Sequence, residues 1–132
     1  MLSCELAIKL AKKSKKNIVI TDEYGRIIFC NDGWTGLCGY TLSDVYGDTC
    51  GILQSITSDE DTINNMNMKI KAKKTCFVMI DNIKKDGTSF KNMLTIFPLK
   101  DGFFAELIDM GPTDYMKKYK EVVDKRRLSL SF

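Results

Sequence analysis

The chain has 132 residues, enough for one compact domain, and its 44% hydrophobic content excludes a disordered chain. A net charge of +3, from 20 basic and 17 acidic residues, is too mild to argue for a nucleic-acid partner. The absence of histidine removes Ser-His-Asp and Cys-His catalysis, and with five cysteines but no CxxC pair it argues against a metal site.

The first element is a short helix over residues 2–12, with Ser3 as its cap and Leu2, Leu6 and Leu10 on one stripe. Asn17–Thr21 is β-branched and reads as a strand. The turn Asp22–Gly25 joins it to a second strand, Arg26–Cys30, in a hairpin. Asn31-Asp32-Gly33 ends that strand and caps a helical turn through Leu37, and short helical pieces follow around 42–46 and 49–54. Asp59–Ala72 is a longer helix with Ile63, Met66 and Ile70 on one side. Three strands are expected at about 75–84, 88–99 and 102–110, and Gly111-Pro112 breaks the chain. Thr113–Arg127 is an amphipathic helix with Tyr115, Met116, Tyr119, Val122 and Val123 on its apolar stripe.

Strands grouped at both ends with helices between them predict an α+β fold with a five-stranded antiparallel sheet. The helices would cover one face, and the last helix would cover the other face or pair with a partner. The basic clusters Lys12–Lys16 and Lys125–Arg127 read as solvated helix ends. No apolar run approaches about 18 residues, so no membrane span is expected. The start of the chain lacks the apolar core of a signal peptide, which points to the cytoplasm.

Cys4, Cys30, Cys38 and Cys76 read as small buried hydrophobes. Cys50 differs, standing at the start of a short helix in Gly47-Asp-Thr-Cys-Gly-Ile-Leu-Gln54, where the helix dipole would favour its thiolate. Gln54, four residues on, reads either as a polar group on the same helix side or as an exposed residue. Downstream, Asn82 and Asn92 each interrupt an apolar row: Val78 and Ile80 precede the first, and Phe90, Leu94 and Ile96 flank the second. A two-residue loop at Asp86-Gly87 would pair Asn82 with Lys91 and turn the asparagines to opposite faces. They share a face if Asn82 pairs with Asn92, which needs an odd loop or a bulge. A buried amide without a partner costs about 1–3 kcal/mol, so two on an apolar face beside a thiol suit a planar heteroaromatic ligand with a hydrogen-bonding edge.

Phe29–Val45, with Asn-Asp before a helix and then Gly-Tyr, resembles the PAS-domain pattern. Gly47–Gln54, Asn82, Lys85-Asp86-Gly87 and Phe90-Lys91-Asn92 resemble the LOV subclass, the flavin-binding blue-light sensors, and the likeness covers about residues 17–110. It implies a PAS core at 17–110 between an N-terminal flanking helix at 1–16 and a C-terminal one at 111–132. It implies that Cys50 forms a reversible light-driven adduct with the flavin and that Asn82 and Asn92 bond its pyrimidine edge. Gln54 would contact the ribityl chain or ring edge, and Thr49, Leu94 and Leu107 would complete the flavin-binding set.

Four positions depart from the family pattern. Thr49 replaces an asparagine, Gly51 and Asn67 replace two phosphate-binding arginines, and Leu107 replaces the glutamine that senses the ring. The family's usual flavin is FMN; with both guanidinium groups missing, riboflavin is an alternative, and Lys69, Lys71 or Lys73 are candidate substitutes. The expected function is that of a photoreceptor domain and not an enzyme, signalling through its sheet and terminal helices to an effector or a second copy. A PAS interaction module without photochemistry and a flavin-binding redox sensor are the alternatives.

Overall fold

The computed structural model describes residues 1–55 and 57–130; the side chains at 115, 116 and 127–130 lie outside that description. Helix α1 (Cys4–Lys13) precedes strands β1 (Asn17–Asp22) and β2 (Ile27–Cys30). Helices α2 (Asp32–Cys38) and α3 (Leu42–Val45), a 3-10 turn at Cys50–Leu53 and helix α4 (Glu60–Lys71) follow. Strands β3 (Cys76–Ile83), β4 (Ser89–Pro98) and β5 (Gly102–Pro112) lead into α5 (Tyr115–Leu130). The helices start where short polar side chains can take their free amides. Ser3 accepts from Leu6, Asn31 from Trp34 and Asp59 from Thr62, while Thr41 and Asp44 form a reciprocal box.

The strands form one antiparallel sheet in the order β2-β1-β5-β4-β3. Its registers align Cys76, Ile96, Ala105, Val19 and Cys30 in one row across the inner face. These residues join Trp34, Cys38, Leu53 and Met66 in the main core, beneath α2, α3 and α4. Asn31 ties this layer to the sheet's first strand. Its Oδ1 accepts from Ile18 and Trp34 amides at 3.0 Å each, and its Nδ2 donates to the Lys16 carbonyl at 2.8 Å.

Helix α1 lies on the outer face, where Cys4, Ala7 and Ala11 pack with Ile18, Ile20 and Leu99. The leucine stripe read in the sequence faces away from the sheet: Leu6 is 45% and Leu10 53% exposed. Small side chains let the helix approach the sheet closely, and the leucines are left on the far side. Of the apolar stripe read on α5, Tyr115 and Met116 lie outside the described side chains; Val122 and Val123 are half-buried and Tyr119 is exposed. That helix reaches the β3 edge through an ion pair between Lys118 and Asp81.

Gly111-Pro112 does not break the chain. The last strand runs through it, with Phe90 paired to Pro112, and the register shifts between Phe90 and Asn92. Gly111, at φ 111°, supplies the left-handed conformation that accompanies the irregularity. The hairpin between β3 and β4 closes with Lys84 N donating to Thr88 O at 2.9 Å, so its loop is Lys85-Asp86-Gly87. Gly87, at φ 87°, supplies the required left-handed residue.

Candidate functional site

That three-residue loop decides where the two asparagines go. Asn82 pairs with Phe90 and Ile80 with Asn92, not Asn82 with Asn92. The odd loop nevertheless keeps them on one face, diagonal to each other. Asn92 Nδ2 donates to Asn82 Oδ1 at 2.8 Å, and Asn82 Nδ2 donates to the Asp81 carbonyl at 3.1 Å. Asn82 is 4% exposed and Asn92 0%, so both amides lie in the protein interior. Asn92 Oδ1 is buried with no hydrogen-bond partner among the described residues. An unmet acceptor at such depth is costly unless something donates to it.

Both asparagines face a cavity of about 650 Å³ between the inner face of the sheet, the 3-10 turn and α4. Thr49, Cys50, Gln54, Leu94 and Leu107 also line it, so the thiol, the two asparagines and the rest of the expected flavin-binding set meet in one place. Leu107 pairs with Leu94 on one side and Asn17 on the other, and Asn17 Nδ2 donates to its carbonyl at 3.1 Å. The position expected of a sensing glutamine is thus an apolar side chain, 2% exposed.

Cys50 and Gln54 do not share one side of an α-helix. The 3-10 turn holds four residues, and Gln54 is its extended C-terminal cap at ψ 142°. Gln54 reaches the cavity by an isolated antiparallel bridge to Asn82. The thiolate expectation also fails. One 3-10 turn carries little dipole, whereas burial, and to a lesser degree nearby Cys30, pushes the Cys50 thiol up to about 12. At neutral pH the group is a protonated thiol.

Several lining residues were missed in the sequence as site residues. Ile63, Met66 and Ile70 were read only as a helix stripe, and Val19, Thr21, Phe103 and Ala105 come from β1 and β5. Alternation along β1 could have flagged buried Thr21 as a polar group on the Val19 face. Gly51 and Asn67 line the cavity as well, and its mouth is formed by Glu23, Tyr24, Gly25, Lys71 and Lys73. Lys69 lies elsewhere, on a separate surface groove between α4 and β3 with Phe77 and Met79. Among the described residues no cluster of His, Cys, Asp or Glu is suited to a metal. No described helix is long and apolar enough to cross a membrane.

A cavity of this volume suits a tricyclic ring with a short polar tail. Its apolar walls, from Met66, Leu94, Ile96 and Leu107, match ring faces, and the unmet Asn92 acceptor matches an imide N–H at the ring edge. The residues present therefore fit a flavin.

A five-stranded antiparallel sheet with helices α2 to α4 and a cavity on its inner face is the architecture of a PAS domain. The PAS-domain family profile matches residues 16–109, and the chain belongs to that family. Within it the similarity runs to LOV-type blue-light receptors. The chain is 34% identical over 100 residues to a blue-light photoreceptor of Listeria monocytogenes, covering 74% of this chain and 40% of that protein. It is 34% identical over 95 residues to phototropin-1A of Oryza sativa, covering 72% of this chain and 10% of that protein. The chain therefore spans less than half the length of the one and a tenth of the other. Among solved structures, the LOV domain of the Erythrobacter litoralis EL346 blue-light activated histidine kinase superposes with a TM-score of 0.72 at 25% identity. That match covers 75% of this chain and 99% of that one.

Proposed function

We propose that this chain is a blue-light photoreceptor domain that binds a flavin and forms a reversible bond between Cys50 and the ring. The observation that carries the reading is the meeting, in one cavity, of a protonated thiol with a buried acceptor that lacks a donor. The similarity to blue-light receptors supports it. A bound flavin would supply the light-absorbing ring and the carbon that accepts the sulfur. Cys50 brings sulfur and proton together in one neutral group, so no separate base is needed to prepare it. With a flavin bound, Asn82 and Asn92 would hold the ring edge, Thr49 and Gln54 would border the thiol, and Leu94 and Leu107 would pack on the ring. FMN is the family's flavin and the one proposed here. The domain turns over no substrate, and its place of action is the cytoplasm.

Output would leave through the end of the sheet. Asn92 pairs with Asp109, which holds Lys84 at 3.2 Å and lies three residues before Pro112 and the start of α5. A change at the asparagines can bias α5, or a second copy or effector docked on it, only through contacts that differ between dark and lit states.

The test is an absorption spectrum of the purified protein before and after blue light. The expected result is a flavin spectrum that bleaches and recovers in the dark. Cys50→Ala should keep the flavin and its fluorescence and lose the bleaching. A colourless protein with no affinity for added flavin, or unchanged bleaching in Cys50→Ala, would overturn the reading.

A further inference from the structure

Strand β3 ends the sheet, and its outer edge is covered along one half only. Ser58 Oγ donates to the Asp81 carbonyl and Gln54 bridges Asn82, so the C-terminal half has partners. Alternation fixes where the rest of the strand points. The Asn82 carbonyl turns towards β4, where Ser89 Oγ donates to it at 3.3 Å, and the Asp81 carbonyl turns away. Pairing with β4 is unbroken from Cys76 to Ile83, so the N–H and C=O of Phe77 and Met79 turn to the same free side as those of Asp81. Among the described residues nothing bonds to these four groups.

Sheet edges are commonly blunted by a charge on the strand, a proline, a bulge or a cover. Residues 76–80 hold no charge and no proline, and no bulge interrupts their pairing. Helix α4 runs back beside them and leaves a groove of about 420 Å³, with Met68 and Lys69 on its helix wall and Phe77, Val78 and Met79 on its strand wall. Phe77 is 70% and Met68 69% exposed. Charge stands at one end of this groove. Lys69 is the one charged group among its lining residues, and Lys73 and Lys74 lie just before the strand. Among the described residues no ion pair engages any of the three.

We propose that the open edge of β3 takes up an extended acidic peptide segment of a partner protein, which adds a strand to the sheet. The free backbone groups call for another backbone, and the groove between Met68, Phe77 and Met79 calls for alternate apolar side chains. The three lysines call for carboxylates. The open stretch, residues 75–79, matches about five residues of a partner at about 3.3 Å each. The β3 edge of a second copy would bring no free carboxylate, because Asp81 is held by Lys118. Of the residues used here, Lys73 alone also borders the flavin cavity, and the docking does not depend on a bound flavin.

The test adds short peptides, blocked at both ends, to the isotope-labelled full chain and follows its backbone amide signals. One peptide alternates valine with glutamate, the other valine with lysine. The glutamate peptide should shift the signals of Phe77 and Met79 and bind about tenfold tighter than the lysine peptide at low salt, the ratio narrowing as salt rises. Phe77→Pro removes an edge-facing N–H and no ladder bond, so the sheet should survive while binding falls by about tenfold or more. The pair Lys69→Glu, Lys74→Glu leaves the backbone intact and should turn the preference to the lysine peptide, which carries the test if the proline variant does not fold. Equal binding of the two peptides, shifts confined to other surfaces, or an unchanged preference in the glutamate pair would overturn the inference. Concentration-dependent shifts of the same amides without peptide would assign the edge to a second copy and overturn it as well.

Discussion

At the buried end of the cavity, two amides lie within the sheet, bonded to each other and to one backbone carbonyl, with one acceptor unmet. At its mouth, Glu23, Tyr24, Asn67, Lys71 and Lys73 stand in water. The same ligand would meet both, yet the energies differ. A hydrogen bond lost in the interior leaves a desolvated partner behind, whereas a charge lost at the mouth is replaced by solvent. Retention of a ligand should therefore be decided at the buried end and discrimination among close analogues at the mouth.

The largest break in this contrast comes from the asparagines. Asn92→Leu or Asn82→Leu removes one amide of the pair and strands the other. We expect flavin affinity to fall by about 1–3 kcal/mol, roughly 5- to 150-fold, measured by titration and by occupancy after purification. Asn92→Leu should be the more severe, because Asn92 carries the unmet acceptor and is the more buried. Wild-type affinity in both variants would remove the buried end from the binding site.

A smaller effect sharpens the comparison from the other direction. Leu107→Gln adds a third amide to the buried end. If its donor reaches the ring, affinity should rise by about 0.5–1.5 kcal/mol, roughly two- to tenfold, and the lit-state spectrum should shift. In the unaltered chain, where Leu107 has neither donor nor acceptor, hydrogen exchange over residues 90–125 should still differ between dark and light through Asn92 and Asp109. Identical exchange in both states would refute that route.

The smallest effect expected is none. A thiol whose ionisation is raised by burial to about 12 stays protonated far above the usual range for cysteine. Light-driven bleaching should thus be nearly constant from about pH 6 to about pH 9. A yield that climbs towards the upper limit would mean that the thiolate is the reacting form. The same shifts bear on stability. An unfolded chain begins to release thiol protons near the ordinary value of 9.0, while folded Cys38 and Cys50 hold theirs to about 12. Stability should fall as pH rises through that interval, measured as a loss of melting temperature.

Much of this was legible in the sequence because each signal was local. Alternation and turn residues marked five strands along the chain, and short polar caps marked the helix starts at Ser3 and Asn31. Alternation also put the asparagines on one face once the loop is odd. What was not legible depended on approach distances and depth. Periodicity finds a stripe but not its winner: Leu2, Leu6 and Leu10 recur every four residues, as do Ala7 and Ala11, and the sheet took the smaller set. Gly111-Pro112 looked like a stop because glycine in a strand and glycine after one have the same letters. The Cys50 thiol was misjudged because a dipole argument needs helix length, and burial cannot be read from spacing. Lys69 and Lys71 differ only in which side of α4 they occupy, which the sequence leaves open at a helix end.

The connection Lys85-Asp86-Gly87 has a consequence for how this chain can change over generations. Loss or gain of one codon there would leave β3 in place and invert β4. Asn92 and Phe90 would turn to solvent while Lys91 and Met93 turned inward, erasing half the pocket without altering one of its residues. Two codons restore the original parity. Among descendants of this sequence, the turn should therefore lengthen or shorten in pairs, and a length of odd count should outlast any particular residue within it.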